Sequence, residues 1–360
     1  MKPGTGETGL MDDHLKRKLF FPIGVELESF LKKNGRCMKL PVTYEALRNF
    51  ESSYPLLDTR QKDSLWESPI YEPQIWERLN EALAETYVRL KTGGDLSAVE
   101  HLMVDRIDFC AFGNSCPFRI RIINQFNDNY DYYYIKQADA SRIYGLALEH
   151  ILSPNSMNYL VDAGTLIEEH IAGIPGDEYI KRYTNHPGLN KIRIAKEFVK
   201  FNERCFIRLL GDMRSYNYIV DMTPDFEETQ YRVRAIDFDQ QSYEGNRSFY
   251  LPQFFKDNNA IVDLCTESLN QDTIQQYQVE ERTLINRRCN SARQQMHDLM
   301  VCMCGDTLST PEKIKQLREE LTRYHNNKIF RECRTMGELV LYNIGTILDE
   351  PDILTISPMH

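Results

Sequence analysis

Two neighbouring segments constrain the fold of this chain more than any other feature. Residues 211–221, GDMRSYNYIVD, place Asp212 and Asn217 five positions apart in an otherwise apolar frame. In residues 232–239, RVRAIDFD, an apolar run ends at two aspartates, the first of which is Asp237. The runs YIVDM and YRVRAI have the composition of β-strands, so they predict a hairpin. That hairpin would bring Asn217 and Asp237 together at one polar site.

These polar groups suit phosphoryl transfer from a nucleotide. The reaction needs a carboxylate that orients or deprotonates the attacking hydroxyl, and oxygen ligands for Mg²⁺. Asp212 would be the catalytic carboxylate, while Asn217 and Asp237 would hold the metal. Asp239 alternates with Asp237 along the chain, so both point the same way and Asp239 becomes a further metal ligand. Each residue alone fits a turn or a cap, but their order and spacing together favour a shared site.

The hydrophobic periodicity upstream predicts a small antiparallel sheet. Three segments rich in Ile, Phe and Tyr (RIDFCAFG, FRIRIINQF and DYYYIKQAD) are separated by turn residues and predict a meander. A helix follows in DASRIYGLALEHIL, then two strands that end at a Gly/Pro turn. Most of the later chain has helical periodicity. We therefore predict three parts: a mixed, mainly helical extension (1–95), an antiparallel-sheet lobe (96–173), to which the resemblance described below assigns nucleotide binding, and a helical lobe with the catalytic loop and metal hairpin (174–360).

The motifs resemble those of the protein-kinase-like superfamily, most closely its aminoglycoside phosphotransferase and choline kinase branch. That branch has a Gly-Asp-x-x-x-x-Asn-x-x-x-Asp loop followed by Ile-Asp-Phe/Trp and an acidic residue. GDMRSYNYIVD and IDFD match both patterns, within a similarity that spans roughly residues 105–245. LIEEHIAGIPG also resembles the hinge segment, where a Gly closes the linker between lobes. The resemblance implies an α+β, two-lobed kinase-like fold: an antiparallel-sheet N-lobe with one helix, a mostly helical C-lobe and, here, an N-terminal helical prefix.

The resemblance also assigns the residues that bind the nucleotide. Lys136, on the third strand, would contact the phosphates of ATP, and Glu149, on the helix that follows, would pair with Lys136. Glu168 and Glu169 are rivals for that pairing, but they lie in the predicted hinge strand. The phosphate-binding turn would be formed by Gly113, Asn114 and Ser115.

Some positions depart from the family pattern and keep alternatives open. Leu210 stands before the loop Gly where those families usually have His, and Phe238–Asp239 replaces the Phe-Gly of protein kinases. The phosphate turn has a single Gly, at position 113. These departures leave a pseudokinase-type nucleotide-binding or interaction module as the rival of an enzyme. A Ser/Thr protein kinase is the other alternative, although the short segment after Asp239 has no activation-loop signature.

Composition limits the class of partner. Acidic residues outnumber basic ones by 53 to 43, for a net charge of −10, which disfavours nucleic acid and anionic membranes and tolerates a cationic acceptor. Nine scattered cysteines lack zinc-site spacing, so we expect reduced thiols in the cytoplasm. No apolar run reaches the about 18 residues of a transmembrane helix. The predicted partners are a nucleotide, ATP or GTP, and an unidentified hydroxylated small molecule; the sequence leaves the oligomeric state open.

Overall fold

The computed structural model describes residues 18–57, 61–93, 96–111, 115–225 and 229–350. Within them the chain forms two lobes, one built on an antiparallel sheet and the other mostly helical. The predicted α+β, two-lobed architecture, with an antiparallel sheet in one lobe and mostly helices in the other, is therefore confirmed.

The first lobe is built on a seven-stranded sheet. Its strands are Ser52–Leu57 (β1), Asp63–Ile70 (β2), Leu102–Phe109 (β3), Phe118–Asn124 (β4), Tyr130–Gln137 (β5), Tyr159–Asp162 (β6) and Thr165–Glu169 (β7). They lie in the order β1-β2-β3-β4-β5-β7-β6, and every neighbouring pair is antiparallel. Strands β3 to β7 match the predicted meander and the two strands after it.

Four α-helices precede β6 in the described part of the chain: Val25–Lys33 (α1), Tyr44–Arg48 (α2), Pro73–Thr92 (α3) and Ala140–Leu152 (α4). One face of the sheet packs on α2 and α3, and the alternating residues Ile120, Ile122, Tyr133 and Ile135 join Leu83 of α3 in that core. Polar residues of β4 and β5 therefore lie on the opposite face, among them Lys136.

The helical lobe contains most of the remaining chain. Its helices are Gly176–Tyr183 (α5), Lys191–Ile207 (α6), Asn259–Ser268 (α7), Gln271–Ser291 (α8), Arg293–Gly305 (α9), Pro311–His325 (α10) and Met336–Leu348 (α11). A small sheet joins Ile174–Pro175 (β8), Tyr218–Pro224 (β9) and Thr229–Ala235 (β10) in the order β10-β9-β8. Strands β9 and β10 are the predicted hairpin, with Tyr218 opposite Ala235.

Helix α4 joins the two lobes. All of its residues except His150 are buried, and its apolar side chains belong to the same core as the helical lobe. It contacts both α8 and α9. Helix α1 enters this core as well, through Leu27, Phe30 and Leu31. A helix buried on all sides has little room to move, so α4 is a fixed support for residues that project from it.

The N-terminal prefix is not purely helical. It supplies β1 and β2, which extend the sheet of the first lobe and which the sequence did not predict. Pro55 and Pro69 interrupt the strand pattern there, and Pro is disfavoured in regular strands. The boundaries of the three predicted parts stay a prediction.

None of the described helices is long and apolar enough to cross a membrane. Six of the nine cysteines are buried as thiols in the helical lobe.

Candidate active site

The loop from Leu210 to Asn217 begins where α6 ends. Leu210 is fully buried and forms an isolated antiparallel bridge with Gln241, so an apolar side chain fills the position where related families usually have His. Gly211 follows where a Cβ atom would lie 2.7 Å from the Phe249 ring. The close packing of these two segments therefore requires a glycine directly before Asp212.

Asp212 has an unusual backbone and an unusual carboxyl group. Its φ angle is +58°, a left-handed conformation that non-glycine residues seldom adopt and that often marks a functional site. Burial raises the pKa of its carboxyl to about 6. The hydrogen bond from Arg214 acts in the opposite direction and lowers this pKa, while the nearby charge of Asp237 raises it further. The Arg214 Nε donates to Asp212 Oδ1 at 3.0 Å. A carboxyl with a pKa near 6 suits a general base at neutral pH.

Asn217 connects the loop to the hairpin. Its Nδ2 donates to the Asp212 carbonyl oxygen at 2.7 Å and lies 3.4 Å from Asp212 Oδ2. Its own carbonyl accepts a hydrogen bond from the Ile236 amide at 3.1 Å, so Asp237 follows directly beside Asn217. The structure thus brings Asp212, Asn217 and Asp237 together, as their spacing predicted.

Arg142, in the first turn of α4, connects to both aspartates of the IDFD segment. Its Nη1 donates to Oδ1 of Asp237 and to Oδ1 of Asp239, each at 2.7 Å. Its Nε and Nη2 bind the two carboxylate oxygens of Glu168, the latter at 2.7 Å. Burial alone would lower the pKa of Arg142, but Glu168, Asp239 and Asp237 raise it well above its usual value. The guanidinium therefore stays charged.

Lys136 belongs to the same network. Its Nζ donates to Glu168 Oε2 at 2.7 Å. The register of β5 and β7, with Tyr134 opposite Glu168, places the two side chains on the same face of the sheet. Burial would raise the pKa of Glu168, but Arg142 and Lys136 hold it below its usual value. Lys136, Glu168, Arg142 and Asp237 form one continuous chain of ion pairs.

The predicted pairing of Lys136 with Glu149 is wrong. Glu149 lies in the last turn of α4 and pairs instead with Arg208, and both side chains are buried. The chain enters α4 just after β5, so only the first turn of that helix lies near Lys136. The partner of Lys136 comes from the neighbouring strand, and it is the rival residue Glu168.

The predicted phosphate turn lies between β3 and β4. Gly113 and Asn114 are outside the described residues, and Ser115 is partly buried at the end of the turn. Their role in holding phosphate stays a prediction.

The residues beside the hairpin suit a magnesium ion. Asn217 uses its NH₂ group on Asp212, so its amide oxygen remains to bind a cation. Asp237 uses Oδ1 on Arg142 and on the Asp239 amide, and its side chain is 35% exposed. Within the described part of the chain no group of three or more His, Cys, Asp or Glu residues could hold a metal. Mg²⁺ does not need such a cage, because it is usually bound by one or two carboxylates plus substrate phosphates.

Sequence reasoning missed Arg142 and Arg214. Helix N-termini disfavour cations, so an Arg in the first turn of an otherwise apolar, buried helix indicates nearby carboxylates. Arg142, in the segment ASRIYGLALEHIL, has this pattern. The sequence indicates no role for Arg214 except that it follows Asp212 by two residues. In the structure, the Arg214 guanidinium lies 5.4 Å from the centre of the Phe255 ring.

Comparison with known proteins adds little to this geometry. No family model and no curated protein matches the chain. Among solved structures it is similar to the autoinhibited serine kinase domain of the giant muscle protein titin, with 14% identity, a TM-score of 0.27, and coverage of 72% of this chain and 83% of that one. Titin kinase with its flanking domains gives 13% identity, a TM-score of 0.26, and coverage of 67% and 54%. Superpositions this loose support no conclusion about the activity of the chain.

Proposed function

We propose that the chain is an ATP-dependent phosphotransferase that moves the γ-phosphoryl group to a hydroxyl of a small molecule, in the manner of the aminoglycoside phosphotransferase and choline kinase branch. The observation that carries the proposal is the grouping of Asp212, Asn217 and Asp237, with a raised pKa at Asp212. Turn and cap residues have no need of that combination. The pattern of motifs and the two-lobed fold both support it.

The residues of the chain have separable roles in this proposal. Asp212 orients the acceptor hydroxyl and accepts its proton as the acceptor oxygen bonds to phosphorus and ADP leaves. Arg214 keeps the Asp212 carboxyl in place through its hydrogen bond to Oδ1. Lys136 contacts the phosphates from the sheet lobe, and Glu168 orients the Lys136 ammonium group. Asn217 and Asp237 would hold Mg²⁺, which neutralises phosphate charge when bound.

The acceptor would bind beside the catalytic loop. Tyr216 is exposed in this loop, and Asp257 lies 3.6 Å from Arg214. An exposed aromatic ring and a carboxylate near the base favour a hydroxylated molecule with an apolar or cationic part. A cationic part of the acceptor also agrees with the excess of acidic over basic residues in the chain.

One observation favours the second candidate, a pseudokinase-type module that binds partners rather than turning over nucleotide. Lys136 and Asp237, which would contact phosphate and metal, both have internal ion-pair partners in Glu168 and Arg142. The site is thus electrostatically satisfied without a ligand. Such a module would not need the raised pKa of Asp212, so turnover of nucleotide distinguishes the two candidates.

The test is hydrolysis of ATP, in which water replaces the unidentified acceptor. We expect slow, magnesium-dependent release of phosphate by the wild-type protein and a loss of about 100-fold or more in Asp212→Asn, which has no carboxylate base. The ATP dissociation constant should change by less than about threefold, because Asp212 acts on the acceptor side. Equal rates in the two proteins would favour the pseudokinase candidate. Asp263→Asn, at an exposed aspartate of α7 outside the site, is the matched control.

A further inference from the structure

Arg142 occupies the space between Asp237 and Asp239. Its Nη1 contacts Oδ1 of both aspartates at 2.7 Å, and only 1% of the side chain is exposed. Two carboxylates that converge on one point normally attract a cation. Here the chain provides that cation itself.

The guanidinium is fixed from its other side as well. Nε and Nη2 form a paired contact with the two oxygens of Glu168, itself fully buried. Displacing Arg142 would leave a buried guanidinium without its partners and would take from Glu168, Asp237 and Asp239 the cation that they share, which is strongly unfavourable. A divalent ion therefore competes poorly for this position.

Asp237 and Asp239 are not equivalent. Asp237 Oδ1 accepts hydrogen bonds from Arg142 Nη1 and from the Asp239 amide, the latter at 3.0 Å. Asp237 Oδ2 is therefore left to bind a ligand in the cleft. The Asp239 side chain is 11% exposed, against 35% for Asp237. Lys136 and Lys18 also act on Asp239 electrostatically, besides Arg142. A second cation at Asp239 would face three positive charges.

We propose that Arg142 is a permanent internal cation of this site, which keeps Asp239 out of metal coordination, so that the site binds a single divalent ion with the nucleotide through Asn217 and Asp237. The inference rests on the proposed function, and it revises the prediction that Asp239 is a metal ligand. Arg142 is a positioning residue: it holds Asp237 Oδ1 and supplies the positive charge that a second metal ion would otherwise bring. The same contact ties the metal hairpin to the buried helix α4.

The test counts bound metal and does not depend on turnover. Mn²⁺ is titrated into the full chain with one equivalent of a non-hydrolysable ATP analogue, and free Mn²⁺ is measured by electron paramagnetic resonance. We expect one protein-bound Mn²⁺ per chain. Asp237→Asn should weaken its binding by about tenfold or more, whereas Asp239→Asn, the matched substitution two residues away, should weaken it by a smaller factor. In folded Arg142→Gln, a second Mn²⁺ should bind.

Each contrary result has a distinct meaning. Two Mn²⁺ ions in the wild type, or equal losses in the two Asp→Asn variants, would overturn the single-ion proposal while leaving the phosphotransferase intact. Arg142→Gln that is folded by circular dichroism yet binds one ion with unchanged affinity would overturn the role of Arg142. Absence of analogue-dependent Mn²⁺ binding in the wild type would overturn this inference together with the proposed function. If Arg142→Gln does not fold, the pair of Asp→Asn variants still decides.

Discussion

Asp212 concentrates the chemistry of the site in one side chain. Its carboxyl is partly buried next to Asp237, and Arg214 is the hydrogen-bonded cation that opposes the effect of burial. Its backbone is left-handed, its amide donates to the Phe249 carbonyl oxygen at 3.2 Å, and the preceding Gly211 packs against the Phe249 ring. A residue that served only as a turn would not need this surrounding structure.

The first prediction at this scale concerns pH. Because the pKa of Asp212 is raised to about 6, the carboxylate form that can accept a proton predominates above pH 6 and is lost as the pH falls through 6. We expect kcat/KM for ATP hydrolysis to rise with a slope of one on a logarithmic scale below pH 6 and to level off above it. A rate that is flat between pH 5 and 8 would show that Asp212 does not act as the base.

A second substitution tests the origin of that pKa. The hydrogen bond and charge of Arg214 lower the pKa of Asp212, so Arg214→Ala should move the acidic limb of the pH–rate profile to higher pH. Arg214→Lys retains the charge and should move it less. If the acidic limb of the pH–rate profile stays at the same pH in both variants, the group that titrates is not Asp212.

The contrast between Asp212 and Glu149 shows what sequence could predict at the residue scale. Asp212, Asn217 and Asp237 lie in one loop and one short hairpin, so local spacing was enough to bring them together. The partner of Lys136 depends on the register between β5 and β7, which spacing along the chain does not determine. Glu149 therefore lies on the wrong element to pair with Lys136.

At the scale of elements, helix α4 depends on its N-cap, Asp139. One carboxylate oxygen of Asp139 accepts the Arg142 amide and the Lys18 ammonium group, the latter at 2.6 Å. The other oxygen accepts the Phe21 amide at 2.9 Å. This one residue caps the helix that carries Arg142 and also attaches the N-terminal segment.

We therefore predict that Asp139→Ala lowers the free energy of unfolding by about 1–2 kcal/mol, the usual cost of losing an N-cap. Asp139→Asn keeps an oxygen acceptor and should cost less. Urea denaturation followed by circular dichroism measures both. Equal stability of Asp139→Ala and the wild type would contradict this role.

Periodicity predicted most of the elements around the site. Strands β3 to β7 and helices α3 and α4 have clear two-residue or helical repeats, bounded by turn residues. The β1–β2 pair lacks such a repeat, since it contains two prolines and a register shift at Leu56/Leu57. Its pairing is stabilised by the neighbouring sheet, which local sequence cannot reveal.

At the scale of the whole molecule, one core joins the helical lobe to α1, α4 and parts of β6 and β7, while a second core lies between the sheet and helices α2 and α3. Helix α4 contacts α8 and α9, while α1 contributes Leu27 to the core of the helical lobe. After α1, Cys37 forms a parallel bridge with Val161 of β6 in the sheet lobe. The N-terminal prefix thus contacts both lobes, and we expect them to unfold together.

The two tryptophans make this testable. Trp66 and Trp76 both lie in the sheet lobe, in β2 and α3, whereas most of the helical circular dichroism signal comes from the other lobe. Leu27→Ala should lower the free energy of unfolding by about 2–5 kcal/mol and shift the fluorescence and circular dichroism transitions equally. Separate transitions would show that the lobes unfold independently.

The most direct test of the central claim, a metal–nucleotide site at Asp237, is a thermal-shift titration with ATP and with GTP, in the presence and absence of Mg²⁺. The account predicts stabilisation of the wild type that requires Mg²⁺ and that is lost in Asp237→Ala. A wild-type protein whose melting temperature responds to neither nucleotide would contradict it.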